Sequence, residues 1–258
     1  MNALRDLILV AGHAAFRRDV SLVPEHPEHD EWWTLESFQR GEPRFYIEHI
    51  RRGVELARAA RESLLLFSGG HTRKESSAWS EARTYRAIAE QHRFWIPDAL
   101  DASSVPEVTS LRADLARRIG VEEFARDSYE NVLFGLCRFR QLTGRAPRRV
   151  TVVSWTFKAE RFDRHRAAIR FPAERFSFEG VGQPVDLESS LRGERKTLAS
   201  FDELPHGTGG DALAKRTART FGSRAHGYER CPGLDEFIDA LESLEPCRPD
   251  FPGDVAWQ

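Results

Sequence analysis

The chain predicts an α/β fold, with a mostly parallel sheet covered on both faces by helices. Three observations lead there. Short apolar runs alternate with helix-periodic segments along the chain. The first of these runs, Leu7-Ile8-Leu9-Val10, is continuously apolar, as expected of a strand buried on both faces. Three of the runs stop abruptly in polar or glycine-containing stretches: Gly12-His13, Ser68-Gly69-Gly70 and Ser154-Trp155-Thr156.

The first strand is Leu7-Ile8-Leu9-Val10, ended by Ala11-Gly12-His13. SLVPEHPEHDEWWTLESFQRGEP follows, rich in proline, acid and aromatics, and reads as a lid-like loop. Trp32 and Trp33 in it need a surface to cover. From Phe45 apolar residues recur at helical spacing through Ile50, Val54 and Ala57. LLLF is the second strand, running into SGG, and SEARTYRAIAEQH the second helix. FWIP reads as a short strand, SSVPEVTS as a loop, and Val121 to Arg126 as a short strand or turn. SYENVLFGLCRFRQL is a strongly apolar helix, stopped where Gly144 suits a C-cap and Pro147 blocks continuation. Arg149 to Ser154 is the third strand, KAERFDRHRAAIR a helix and RFSFEGVG a further strand. The tail from 183 is polar, with a last helix near LDEFIDALESL.

At 258 residues, with 40% hydrophobic and 30% charged residues, the chain is ordinary for a globular protein with a substantial core. A net charge of −2 makes no electrostatic case for nucleic acid. LILVA is too short for a signal-peptide core, and no run reaches the roughly 20 residues of a membrane span. Three cysteines, odd in number and without a CxxC pair, point to a reducing cytoplasm.

In an open parallel sheet, ligands bind beyond the carboxyl ends of the strands. Gly69 and Gly70 either make a plain βα turn or let backbone N–H groups approach a phosphate closely. GxGxxG, GxxxxGK[ST] and GxSxG are all absent, so the usual dinucleotide, P-loop and hydrolase fingerprints do not apply. Asp127, Ser128, Glu130 and Asn131 open a helix, either as a capping box or with Ser128 facing a ligand. Ser80-Glu81 starts the helix after SGG, where a carboxylate suits the dipole or acts as a base or metal ligand. Lys158 and Arg161 share a helix face and can clamp an anion. His26 and His29 lie among acids in PEHPEHDEWW, a proline-broken loop read as solvated, so no metal site is assigned.

SGG ending a strand, SEA and DSYEN opening helices, and VTVVSWTFKAERF after them are similar to the YdcF-like family, also called domain of unknown function 218. With LILVAGHA, FSGGHTR and ARDSYENVLFGLCRFRQLTG, the chain most resembles its soluble eukaryotic-type branch, over roughly residues 7–182. The resemblance implies a Rossmann-like three-layer sandwich with a pocket at the strand C-termini. Onto that pocket map Gly12, Ser68, Gly69, Gly70, Glu81, Ser128, Glu130 and Asn131, with Glu122 or Glu123 at the family's acidic position. Family members are linked to S-adenosylmethionine binding or to envelope functions. Many bacterial members carry histidine where this chain has Lys158, so no histidine acid–base role carries over.

The expectation is one domain over 1–258, with 183–258 as a C-terminal extension packed on it. Its leading function is a cytoplasmic enzyme, a hydrolase or group transferase, acting on a phosphorylated or nucleotide-like small molecule. Glu81, Glu130 and Lys158 are the candidate catalytic residues. Gly12, His13, Ser68, Gly69, Gly70, Ser80, Asp127, Ser128, Asn131, Trp155 and Arg161 are the candidate ligand-binding residues. The partner is a small anionic molecule, with neither nucleic acid nor membrane. S-adenosylmethionine or a divalent metal is the cofactor left open. The alternatives are a non-catalytic sensor and an S-adenosylmethionine-binding protein.

Overall fold

The computed structural model describes residues 3–76, 79–92, 94, 105–221, 231, 233–255 and 257. Five strands form one parallel sheet: β1 (Asp6–Ala11), β4 (Ser63–Ser68), β5 (Ile119–Glu122), β6 (Arg149–Ser154) and β7 (Phe176–Gly180). Their order is β5-β4-β1-β6-β7. The chain therefore builds outward from β1 in one direction, then returns to its other side with β6. This reversal makes the β1/β6 junction a topological switch point, where the strand ends open a crevice. The molecule is a Rossmann-like three-layer sandwich.

Alternation along the strands sets the two layers. Leu7, Leu9 and Ala11 join one apolar cluster, and Ile8 and Val10 the other. On the second face lie α1 (Pro43–Ala59), through Tyr46, Ile50, Val54 and Ala57, and α2 (Glu81–Gln91), through Tyr85, Ile88 and Ala89. On the first face lie α4 (Ser128–Thr143), through Val132, Leu133, Leu136 and Phe139, and α5 (Ala159–Ala168), through Phe162. Gly144 closes α4 with φ 76°, a left-handed cap that costs glycine little.

Several segments differ from the sequence reading, among them β5, which starts at Ile119 instead of Val121. Residues 105–110, expected as loop, belong to α3 (Val105–Arg117). Pro106 falls in the first turn, where its missing N–H goes unneeded. FWIP lies outside the described residues beyond Phe94. The polar tail holds two further helices, α6 (Leu187–Glu203) and α7 (Gly210–Ala218), before α8 (Asp235–Glu242). Glu194 and Phe201 are the buried residues of α6, so it carries no apolar stripe to read. Phe201, Ala212, Phe237, Ile238 and Leu241 nevertheless pack into the cluster under α4.

The segment expected as a lid is tied down by its own hydrogen bonds. β2 (Ala15–Phe16) and β3 (Trp33–Thr34) pair antiparallel, with Phe16 opposite Trp33. Trp33 is buried against Phe16, Tyr46 and Tyr85, and its Nε1 donates to Pro27 O at 2.6 Å. The tryptophan thus anchors the segment to the core instead of covering a pocket. Only its end, Phe38, Gln39 and Glu42, reaches the crevice.

Candidate functional site

A cavity of about 370 Å³ opens at the carboxyl ends of β1 and β6. β1 delivers Gly12 and His13 to its wall, β6 delivers Ser154 and Trp155, and the turn after β6 delivers Lys158. The start of α4 contributes Asp127, Ser128 and Asn131, and α2 contributes Glu81. The opposite wall comes from α5, α6 and α7, through Arg161, Glu194, Asp211 and Lys215, with Arg219 just beyond α7. Of the residues proposed from sequence, Gly12, His13, Glu81, Asp127, Ser128, Asn131, Trp155, Lys158 and Arg161 line this cavity. Ser68, Gly69, Gly70, Ser80 and Glu130 do not.

The glycines act differently from the expected anion cradle. Gly12 N donates to Ser68 O (2.7 Å), Gly69 N to Glu122 O (3.0 Å) and Gly70 N to Ala125 O (2.7 Å). All three N–H groups are spent within the backbone, so none remains to meet a phosphate. Their smoothness matters instead. A Cβ on Gly12 would lie 2.6 Å from Glu81 Cβ, and one on Gly69 2.5 Å from Glu81 Oε2. Together they form the slot that holds the Glu81 side chain. Gly70 faces away, where a Cβ would meet the carbonyls of Glu123 and Ala125 at 2.9 Å. A valine there collides with backbone, so Gly70→Val tests folding and not anion binding.

Glu81 is the first residue of α2, capped by Ser80, whose Oγ accepts from Arg83 N. Ser80 Oγ also donates to Glu123 Oε1 at 2.8 Å and so serves the helix start. Thr72 Oγ1 donates to Glu81 Oε1 at 2.5 Å. Burial raises the Glu81 carboxyl above its usual range, against the pull of Arg219, Thr72, Arg73 and Lys158. Ser68 Oγ lies 2.6 Å from Glu122 Oε2 and 2.9 Å from Asn131 Oδ1. SGG therefore adjoins the α4 start at one sheet edge, but as its foundation. Glu122 is buried and accepts the N–H groups of Phe124 and Ala125, while Glu123 serves Ser80 and Arg83.

Asp127 caps α4 by accepting from Glu130 N (2.9 Å) and holds Arg216 Nη2 at 2.7 Å. Glu130 pairs with Arg126 and, at 3.1 Å, with Arg216. Arg126 also reaches Glu242 at 2.8 Å. Burial by itself would raise both acids, yet Arg216 beside them holds each below its usual range. Glu130 is fully buried in these pairs and belongs to the framework joining α4 to α7 and α8.

The wall carries four cations. Arg161 pairs with Glu194. Lys158, Lys215 and Arg219 have no carboxylate within ion-pair distance among the described residues. Burial, then the adjacent Arg161, pushes Lys158 well below the usual lysine range. Burial lowers Arg161 to about 10, with Arg219 adding to the effect. Partial burial, Arg219 and Arg161 lower Lys215. The cations thus crowd one another around a shared space, which an anion would relieve. His13 stands 3.4 Å from Lys158 Nζ, stacked with Trp155, and burial keeps it well below the usual histidine range.

The donors suit a metal less well. Thr72 holds Glu81, Arg216 holds Asp127, Arg161 holds Glu194, Lys196 holds Asp211, and Tyr46 Oη donates to Glu42 at 2.8 Å. Among the described residues no group of three or more His, Cys, Asp or Glu side chains is placed to hold a metal ion. His26 and His29 stack at 5.8 Å as exposed side chains beside Glu28 and Glu31.

Sequence reasoning missed Glu42, His165, Glu194, Lys215 and Arg219. Only Lys215 and Arg219, four apart, left a readable signal, a shared helix face. The others come from segments whose approach is tertiary.

The chain is similar to the uncharacterized protein YOR238W of Saccharomyces cerevisiae, 25% identical over 291 aligned positions that cover 95% of this chain and 94% of the yeast protein. No family model matches the chain. No solved structure matches it.

Proposed function

We propose that the protein is an enzyme of hydrolase or group-transfer type acting on a phosphorylated or nucleotide-like small molecule held in the β1/β6 cavity. One observation carries this reading. Lys158, Lys215 and Arg219, none of them ion-paired among the described residues, converge on one cavity at the switch point. Glu81 is the acid–base candidate, since burial at the cavity wall moves its carboxyl toward the range where proton transfer is useful near neutrality. Trp155 and Phe157 give the same cavity an aromatic wall on which a base can rest.

Membership of the YdcF-like family is part of the proposal. The motif order supports it, and so does a sheet with its crevice at the strand ends. A cytoplasmic location is supported by three free cysteines. Among the described residues no helix is long and apolar enough to cross a membrane.

The test pairs binding with turnover. Calorimetric titration with pyrophosphate and with nucleoside diphosphates should show binding that weakens about tenfold in Lys158→Ala and in Arg219→Ala, and falls with added salt. Glu81→Gln should keep most affinity and lose product formation. An anion that binds the parent without any conversion, and equally well in Glu81→Gln, leaves a sensor in place of an enzyme. Absence of anion binding ends the proposal.

A further inference from the structure

Ser128 opens α4 on the cavity wall, and its Oγ stands 2.8 Å from Nε2 of His165 on α5. His165 is fully buried. Its ring is boxed by Phe201, Tyr129 and Phe162, with centroids 4.4, 5.7 and 5.9 Å away. The other ring nitrogen, Nδ1, is buried and has no hydrogen-bond partner among the described residues. The charged groups that His165 feels are both cations, Arg161 one turn earlier on α5 and Arg216 from α7.

These facts select a tautomer. Burial and the two arginines keep the imidazole neutral, so it carries a single N–H. A hydrogen on Nδ1 would be a buried donor with no acceptor. A hydrogen on Nε2 leaves only a bare acceptor, the less costly of the two. Nε2–H therefore donates to Ser128 Oγ, and the serine hydrogen cannot return along that bond. Oγ makes no other hydrogen bond among the described residues.

We infer that His165 is a positioning residue that holds Ser128 as a hydrogen-bond donor into the cavity, aimed at an anionic oxygen of the ligand beside Arg161. The inference rests on the anion-binding reading above and gives it a neutral donor at a fixed place. It also separates this site from a serine nucleophile. A nucleophilic Ser128 would have to pass its proton to Nε2, creating an imidazolium in an apolar box beside Arg161 and Arg216, whose carboxylate partners Glu194, Asp127 and Glu130 are already engaged.

Two measurements decide. Nitrogen-15 NMR of histidine-labelled protein at neutral pH should show His165 protonated at Nε2 and bare at Nδ1. Calorimetry with inorganic pyrophosphate should show about tenfold weaker binding in Ser128→Ala and in His165→Phe. Ser128→Thr keeps the hydroxyl and His165→Gln keeps a donor near the Nε2 position, so both should stay within about threefold of the parent. If His165→Phe fails to fold, Ser128→Ala and the NMR tautomer still decide. Equal pyrophosphate affinity in the parent and Ser128→Ala overturns the inference and leaves the anion site standing. So does a phosphoserine at Ser128 trapped after incubation with a nucleoside diphosphate, or a hydrogen found on Nδ1. No pyrophosphate binding by the parent removes the anion site and this inference with it.

Discussion

Gly12 and Gly69 come from different strand ends and meet the same side chain, Glu81. Their lack of a Cβ lets a carboxylate lie flat against two backbones, and that burial has a thermodynamic consequence. The unfolded chain ionises Glu81 near 4.5, and the folded chain does so at a higher pH. Between those two values the folded state holds a proton that the unfolded state has lost, so stability falls as pH rises through the window. Above it the ionised carboxylate remains a standing cost. Glu81→Gln removes the titration. The variant is expected to gain stability over the parent from about pH 5 upward, with the difference vanishing below about pH 4. Urea midpoints measured across that range check it, and a variant that is less stable at neutral pH refutes a costly buried carboxylate. Asp127 and Glu130 have the opposite sign. Arg216 holds both low, so their contribution is complete at neutral pH and is lost as pH falls through their depressed values.

At the scale of elements, α4 is the hub. Its start carries Asp127 and Glu130, which receive Arg216 from α7, and Arg126 beside it receives Glu242 from α8. These pairs are buried, so their value lies in keeping every charge compensated. Arg216→Met would leave Asp127 without its ion pair and Glu130 with Arg126 alone. A loss of roughly 3–5 kcal/mol is expected, read from urea denaturation at neutral pH. The same change should cost much less near the pH where the two carboxyls protonate. A uniform loss at all pH values would mean that packing and not charge explains it.

At the scale of the molecule, the chain after residue 182 is both roof and support. It supplies Glu194, Lys215 and Arg219 to the cavity, and Phe201, Phe237, Ile238 and Leu241 to the cluster under α4. Ending the chain at residue 182 would expose the apolar face of α4 and leave Asp127 and Glu130 without Arg216. Such a protein is expected to aggregate or to unfold without cooperativity, and it should not bind pyrophosphate. Size-exclusion chromatography and calorimetry of the truncated chain check this. A monomeric, cooperatively folding fragment of residues 1–182 with parent-like affinity would show the extension to be dispensable.

The sheet was legible because its cause is local. A strand buried on both faces must be a continuous apolar run, and Leu7 to Val10 and Leu64 to Phe67 are such runs, while Val150 to Val153 is broken only by the partly buried Thr151. The caps of α4 were equally local, although the sequence left the N-cap between Asp127 and Ser128 and only the structure chose Asp127, while Gly144 was readable as the C-cap. Strand direction and helix alternation then placed a crevice at the strand ends, so nine of the proposed site residues could be named from motif positions alone. By itself, then, the sequence determined the strands, the Gly144 cap and the end of the sheet at which a ligand can sit. Only the tertiary structure decided how each polar group is spent. Gly69 and Gly70 look like an anion cradle until carbonyls of Glu122 and Ala125 take their N–H groups. His13 and Lys158, 145 positions apart, and Ser128 and His165, 37 apart, meet through packing that no spacing rule encodes. A hydrogen bond saturates its donor, so the role of a polar residue depends on which partner reaches it first, and that choice belongs to the folded chain.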